Sequence, residues 1–212
     1  MVCNFQKIEG LERLKIMCRF ATYFGKEPII LDEILSKPVN SLINQSHQAR
    51  KAKTGINADG FGLGWYSQQI SPAPGLFRSI RPAWNDENLL HVASKIQSNC
   101  FIGHVRASTI GGVSNLNCHP FSFKNFLFVH NGQIKNFNKI KRSVMNELSD
   151  EACQIVRGQT DSEAFFALLM DFILKSEQEP DFKLMAQAFR HSIKTIDSIK
   201  EKMGLVNESL IN

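Results

Sequence analysis

A cysteine directly follows a methionine near the start of the chain, at Met17-Cys18. If translation began at Met17 and that methionine were removed, Cys18 would carry a thiol and a free α-amine on one residue. An amine with a pKa of about 7.7 to 8.0 can take the proton of the thiol, so such a residue is both nucleophile and base. The sequence therefore predicts Cys18 as the attacking group in covalent catalysis.

Sixteen residues precede Met17, and a peptide-bonded Cys18 nitrogen cannot act as a base. Three explanations stay open: an upstream start codon chosen in error, a propeptide cut before Cys18, or a retained extension that inactivates the protein. We expect residues 1–16 to be a leader and residues 17–212 to form the domain. The prediction is that active protein begins at Cys18.

Polar residues elsewhere could complete a site around this cysteine. They lie in three short segments, at 103–109, 130–132 and 158–163. The side-chain amide of Asn131 and the backbone N–H of Gly132 are candidate donors for an oxyanion, each worth about 3 to 4 kcal/mol in the barrier. Arg106 offers a two-pronged donor for a carboxylate, to which Thr109 can add a hydroxyl, and Asp161 can receive an ammonium. Together these residue types predict a site for a carboxamide substrate that also carries a carboxylate and an ammonium group.

Each of these residues also has an ordinary structural interpretation. Taken alone, Arg106 is typical of a surface ion pair, Asp161 of a helix N-cap and Asn131-Gly132 of a hairpin turn. The functional interpretation rests on their joint occurrence, in order, along one chain.

Two histidines and a second cysteine are left out of the catalytic set. His104 and His119 lie near strand ends, where an isolated histidine is usually a hydrogen-bonded structural residue. Cys118-His119 is not expected to work as a nucleophile and base, because adjacent residues on an extended strand point to opposite faces.

The elements that must position these residues change character along the chain. A β-prone first part is followed by helical periodicity, which predicts an α+β layered fold and argues against a parallel βαβ array. Strands are predicted at 18–24, 59–66, 76–80, 100–106 and within 121–128, a Pro/Gly-rich turn at 67–75, and helices at 85–97, 137–148, 162–174 and 182–203.

Several motifs together resemble the class II glutamine amidotransferases. Besides the three polar segments they are MCRFATYFG from Met17, DGFGLGWY from Asp59 and NCHPF from Asn117. The resemblance runs from Met17 to about Met170, and is nearest to the stand-alone branch that includes the YafJ-like proteins and the γ-glutamyl hydrolases of ergothioneine biosynthesis. It implies an Ntn-hydrolase four-layer αββα sandwich of two antiparallel sheets.

The resemblance also implies an activity and roles for the site residues. Cys18 would open the γ-amide of glutamine or of a γ-glutamyl compound through a thioester, releasing glutamate and ammonia or an amine. Arg106 and Thr109 would hold the substrate carboxylate, and Asp161 its amino group. The oxyanion would be held by Asn131 and Gly132.

No metal or organic cofactor is implied, and ammonia would pass to a partner protein or to solvent. A cytoplasmic protein is expected, because no apolar run approaches the roughly 18 residues of a membrane span and no signal-peptide core is present. The net charge is +5 without clustering of Lys and Arg, so nucleic acid is not an expected partner.

Family members usually continue into further strands beyond the helices, so we expect a shortened C-terminus. A non-catalytic scaffold or binding protein, inactivated by its leader and by this truncation, is the alternative.

Overall fold

The computed structural model describes residues 18–51, 59–107, 112–176 and 178–205, and for residues 48–51 only the main chain. Its described strands form two antiparallel sheets. The larger sheet has the order β1-β4-β2-β3, and the smaller one is the hairpin β5-β6. The strands are β1 (Arg19–Ile30), β2 (Phe61–Ser67), β3 (Ser71–Ser79), β4 (Gln97–Val105), β5 (Phe121–Phe123) and β6 (Phe126–Phe128).

The register of the larger sheet brings three strand ends together. Val105, the last residue of β4, pairs with Arg19 at the start of β1 and with Phe61 at the start of β2. The residues one position beyond this row, Cys18 and Arg106 among them, therefore meet at one end of the sheet.

Helices cover both outer faces. They are α1 (Asp32–Leu35), α2 (Leu42–Lys51), α3 (Glu87–Ala93), α4 (Phe137–Asn146), α5 (Asp150–Cys153), α6 (Asp161–Lys175) and α7 (Phe182–Lys202). One apolar core lies between α1–α3 and the larger sheet, and the other joins the β5-β6 hairpin to α4–α7. Within the described ranges, no helix is long and apolar enough to cross a membrane.

The two sheets pack directly against each other at glycine positions of β2. A methyl group on Gly62 would collide with the carbonyl of His119, and one on Gly64 would lie 2.8 Å from the ring of Pro120. The order of layers is thus helices, sheet, sheet, helices. The predicted α+β fold with two antiparallel sheets is confirmed.

Some predicted bounds were wrong. Strand β3 begins at Ser71, inside the predicted turn, because a strand at the sheet edge tolerates Pro72 and Pro74. The helix predicted at 85–97 is only α3: Asp86 caps it by accepting a hydrogen bond from the Leu89 N–H, and Gln97 already belongs to β4. Helices α1 and α2 were not predicted, so helices occur in both parts of the chain.

Candidate functional site

The Cys18 thiol lies where β1 begins, beside the residue that follows Arg106. The backbone N–H of Ala107 donates to Cys18 Sγ over 3.2 Å, and the thiol lies at the same distance from the Ala107 carbonyl oxygen. Burial raises the pKa of the Cys18 thiol, while the Ala107 contact and the nearby Arg106 charge oppose that shift. The thiol is therefore protonated at neutral pH, and attack by its sulfur requires a proton acceptor.

Arg106 is a buried cation, only 3% exposed, at the end of β4. Its backbone N–H donates to the carbonyl of Gly60 over 2.8 Å, which fixes the main chain against the start of β2. One guanidinium nitrogen, Nη1, lies 3.4 Å from the carbonyl oxygen of Gly112. The surface-ion-pair interpretation of Arg106 is wrong, because its side chain is buried in the same region as the cysteine.

Gly60 has a backbone conformation that suits few other residues. Its φ is +113°, and a methyl group there would lie 2.6 Å from the Ser79 carbonyl oxygen and 2.7 Å from Cys118 Sγ. The carbonyl that anchors Arg106 thus depends on a position where a side chain has neither room nor a favourable φ.

Asn131 and Gly132 follow β6 and are exposed. The Asn131 side-chain amide donates from Nδ2 to the Cys18 carbonyl oxygen over 2.7 Å. The amide therefore lies against the main chain of Cys18. The preceding His130 is held by a 2.9 Å hydrogen bond between its Nδ1 and the Ser162 hydroxyl.

Asp161 is buried in the first turn of α6. One carboxylate oxygen accepts from the Ile134 N–H over 2.7 Å and the other from the Ser162 N–H over 2.9 Å. Helix α6 is capped by Thr160, whose hydroxyl accepts from the Glu163 N–H, so the N-cap interpretation of Asp161 is wrong. A carboxylate has about four lone-pair positions, and within the described ranges these two N–H groups occupy two of them.

The predicted residues that the structure describes thus lie at or near the ends of strands and of one helix, and hydrogen bonds tie these segments to one another. Contacts join Cys18 to Ala107 and to Asn131, and the chain that follows Asn131 is joined to Asp161 through Ile134. Thr109 lies outside the described residues.

Sequence reasoning missed one residue that joins two of these loops. The Asn117 side chain is 2% exposed, donates to the Gly112 carbonyl over 2.7 Å and accepts from the Gln159 N–H over 2.8 Å. Its place in the NCHPF motif was the available signal, although the motif alone does not say what an asparagine contacts.

Two buried histidines lie behind the site with their rings 4.5 Å apart. Burial lowers the pKa of His104 to about 3 and that of His119 well below its usual value. Among the described residues, none of their ring nitrogens has a hydrogen-bond partner. The expectation that both are hydrogen-bonded residues is not met there, and their aromatic contacts, which for His119 include Phe121, hold them in place.

A cleft of about 400 Å³ opens beside the cysteine. Its lining includes Cys18 and Asn131 together with residues from α1 to α2, among them Ile34, Pro38 and Asn40. Arg106 and Asp161 are not part of this lining. Along the described ranges, no three His, Cys, Asp or Glu side chains come together as a set of metal ligands.

Comparison with known families gives one match over most of the chain. The sequence model of the class-II glutamine amidotransferases matches residues 35–210. Cys18 precedes the matched range.

Individual proteins agree with this match. Probable glutamine amidotransferase DUG3 of Saccharomyces cerevisiae is 41% identical over 196 residues, which cover 87% of this chain and 55% of that protein. The amidophosphoribosyltransferase of Methanocaldococcus jannaschii is 32% identical over 114 residues, covering 52% of this chain and 22% of that protein. This chain therefore spans just over half the length of the yeast relative.

A solved structure has a similar fold. It is a glutamine aminotransferase class-II domain protein from Silicibacter pomeroyi, with a TM-score of 0.61 and 26% sequence identity. The superposition covers 86% of this chain and 65% of that one.

Proposed function

The chain belongs to the class-II glutamine amidotransferases, an enzyme family, and we propose that it hydrolyses the γ-amide of glutamine or of a γ-glutamyl compound with Cys18 as nucleophile. The observation that carries the proposal is the placement of Cys18: its thiol contacts Ala107, next to the buried Arg106, and its carbonyl accepts a hydrogen bond from the Asn131 amide. A thiol, a cation for a carboxylate and an oxyanion donor are the parts that opening of a γ-glutamyl amide requires.

The free α-amine of Cys18 is the proposed base. Burial keeps the thiol protonated, and a terminal amine with a pKa of about 7.7 to 8.0 is suited to accept its proton near neutral pH. The active form therefore begins at Cys18, with residues 1–16 acting as a leader and Met17 removed. Residues 17–212 form the amidotransferase domain.

Recognition of the glutamyl group would use two opposite charges. The Arg106 guanidinium binds the α-carboxylate, with Thr109 as a second donor, and Asp161 binds the α-ammonium through its remaining lone pairs. Because both side chains are buried, these ion pairs form in a medium of low dielectric and discriminate strongly against substrates that lack either charge.

The proposed reaction proceeds in two stages. Cys18 Sγ attacks the γ-carbonyl carbon while its proton passes to the α-amine, and the oxyanion is held by Asn131 Nδ2 and the Gly132 N–H. The C–N bond then breaks and the leaving nitrogen takes the proton back, which leaves a glutamyl thioester. Water adds to the thioester, the C–S bond breaks, and glutamate and the thiol are regenerated.

The cleft beside Cys18 supports a leaving group larger than ammonia, or an acceptor. Its volume of about 400 Å³ compares with a share of roughly 30 Å³ for one water molecule in the liquid. Among the described residues of its lining, Arg19 is the one with a charged side chain, and its guanidinium donates to the Gln45 carbonyl over 2.9 Å. Ammonia released there would pass to a partner protein or to solvent. The cytoplasmic location expected from the sequence stays a prediction.

Covalent labelling tests the proposal. Two forms are made, one translated from Met1 and one from Met17, and their intact masses are measured before and after exposure to a diazo-ketone analogue of glutamine. We expect labelling of Cys18 only in protein that begins at Cys18, release of glutamate from glutamine or from a γ-glutamyl anilide by that form, and loss of both in Arg106→Ala.

Two results would contradict the proposal. Full activity in a species that retains Met1 would exclude the α-amine as base. A folded protein that begins at Cys18 and shows neither labelling nor hydrolysis would favour a non-catalytic scaffold.

A further inference from the structure

We propose that Asn117 is a positioning residue that sets the distance between the side chains proposed to bind the substrate carboxylate and the substrate ammonium. The inference rests on the proposed function, because it concerns how that site measures a glutamyl group. Arg106 and Asp161 come from a strand end and a helix start far apart in sequence, and the Asn117 side chain is bonded to the neighbouring loops of both.

On the carboxylate side, Asn117 and Arg106 share one acceptor. Asn117 Nδ2 donates to the Gly112 carbonyl oxygen over 2.7 Å, and Arg106 Nη1 lies 3.4 Å from the same oxygen. The Gly112 carbonyl is thus held at a fixed place beside the guanidinium, and a shift of that carbonyl would shift the plane in which the guanidinium can bind a carboxylate.

On the ammonium side, Asn117 holds the segment that leads into α6. Its Oδ1 accepts from the Gln159 N–H over 2.8 Å, two residues before Asp161. A methyl group on Gly158 would lie 2.5 Å from the same oxygen, so the segment passes very close to this side chain. Glu163 fixes the segment from its other side, because its carboxylate accepts from the Arg157 and Gly158 N–H groups.

The side chain is suited to this task because one amide joins a carbonyl to an N–H. An asparagine side chain has donors on nitrogen and acceptor lone pairs on oxygen, and here both ends are used in a site that is almost fully buried. Neither end is directed at the substrate groups themselves. Asn117 therefore acts through Arg106 and Asp161 rather than by contact with the reacting atoms.

The two ends can be separated by substitution. Asn117→Asp keeps the oxygen that accepts from Gln159 but places a second oxygen against the Gly112 carbonyl, so it breaks only the carboxylate side. Asn117→Ala removes both bonds. The active form identified by the labelling test is assayed at pH 8 on glutamine, on glutamine α-amide, which lacks the α-carboxylate, and on 4-carbamoylbutanoate, which lacks the α-ammonium.

The measured quantities are two ratios of kcat/KM, for glutamine over each analogue. Each ratio is taken on one preparation, so the fraction of folded enzyme cancels. We expect Asn117→Asp to lower the preference over glutamine α-amide on the order of tenfold and to leave the preference over 4-carbamoylbutanoate unchanged. Asn117→Ala should lower both.

A matched control exchanges a carboxylate and a carboxamide at another buried position of α6. Asp171 lies further along α6, where its carboxylate accepts from the Ser149 N–H and hydroxyl and from Lys175. Asp171 lies ten positions after Asp161, which corresponds to about 15 Å of helix. Asp171→Asn should lower the melting temperature and leave both ratios at their wild-type values.

The outcomes separate this inference from the proposed function. Wild-type ratios in Asn117→Asp, an equal fall of both ratios in it, or an equal fall in Asp171→Asn would overturn the role of Asn117. Absence of any turnover in the wild-type protein would instead contradict the proposed function. In that case, ratios of Kd are measured for glutamate against glutamate α-amide, which lacks the α-carboxylate, and against glutarate, which lacks the α-ammonium. These ratios test the role of Asn117 in binding and do not require turnover.

Discussion

Replacement of Gly60 by alanine should destabilise the fold and disturb the candidate site at one point. The backbone there has a φ of +113°, which costs a residue with a side chain about 1 to 3 kcal/mol. The new methyl group would also lie 2.6 Å from the Ser79 carbonyl oxygen and 2.7 Å from Cys118 Sγ, and overpacking of this kind costs about 1 to 3 kcal/mol. The expected loss of unfolding free energy is therefore about 2 to 6 kcal/mol.

Two other glycines separate these contributions. Gly204 has a φ of +69°, and no atom of the described residues lies within 4 Å of an added methyl group, so Gly204→Ala isolates the backbone cost, about 1 to 2 kcal/mol. A methyl group on Gly112 would likewise meet nothing within 4 Å in the described part of the chain, and its φ is not unfavourable, so Gly112→Ala should be neutral to about 1 kcal/mol stabilising.

Thermal unfolding of the three variants measures the series. For a chain of this size, each kcal/mol shifts the melting temperature by about 2 to 4 °C. Gly60→Ala should fall by about 4 °C or more, Gly204→Ala by less, and Gly112→Ala should not fall. A melting temperature for Gly60→Ala equal to that of Gly204→Ala would refute the steric part of the reasoning, and one equal to that of the wild-type protein would refute all of it.

Acid should destabilise the protein through the buried histidines, and His119→Phe should reduce the effect. In the folded protein the pKa of His104 is about 3 and that of His119 is well below 6.5, so the unfolded chain binds more protons in acid. The free energy of unfolding therefore falls as the pH drops from about 6.5 towards 3, by at most about 1.4 kcal/mol per pH unit for each ring. Urea midpoints at pH 7.5 and 5.0 compare the variant with the wild type, and equal differences would contradict this account. Thr160→Ala and Asp181→Ala each remove an N-cap and should each cost about 1 kcal/mol in denaturant titrations. Only Thr160→Ala, next to the candidate ammonium-binding carboxylate, should also raise KM for glutamine, and a raised KM in Asp181→Ala would count against that role.

The sequence indicated which candidate residues lie near one another better than it predicted the bounds of the elements around them. Polar residues that interrupt an apolar pattern at strand ends stand out, and the register of β1 and β4 then places Cys18 and Arg106 together. Helix α2 was missed because its sequence, LINQSHQARK, is polar on most sides and becomes helical where Leu42 and Ile43 pack on the sheet. Tertiary contacts of that kind are not encoded in local periodicity.

Side-chain partners were the least predictable part. The sequence identifies Asn117 as one member of a motif, but not its partners. These are the carbonyl of Gly112 and the N–H of Gln159, which lie on different loops. The close pair of His104 and His119 likewise depends on how the two sheets stack. Such contacts form between segments distant in sequence, so no local sequence pattern predicts them.

The strand ladder between β1 and β4 has a consequence for how such a chain can diverge. Because Arg19 lies opposite Val105, the separation of Cys18 and Arg106 is set by backbone pairing, and changes of length in the connecting loops leave it unaltered. Part of the cleft lining comes from the α1 to α2 segment, which is outside that ladder. Sequence changes in that segment could therefore alter the cleft without moving Cys18 relative to Arg106, so under the proposed function the leaving-group side could diverge while the glutamyl-binding side stays the same.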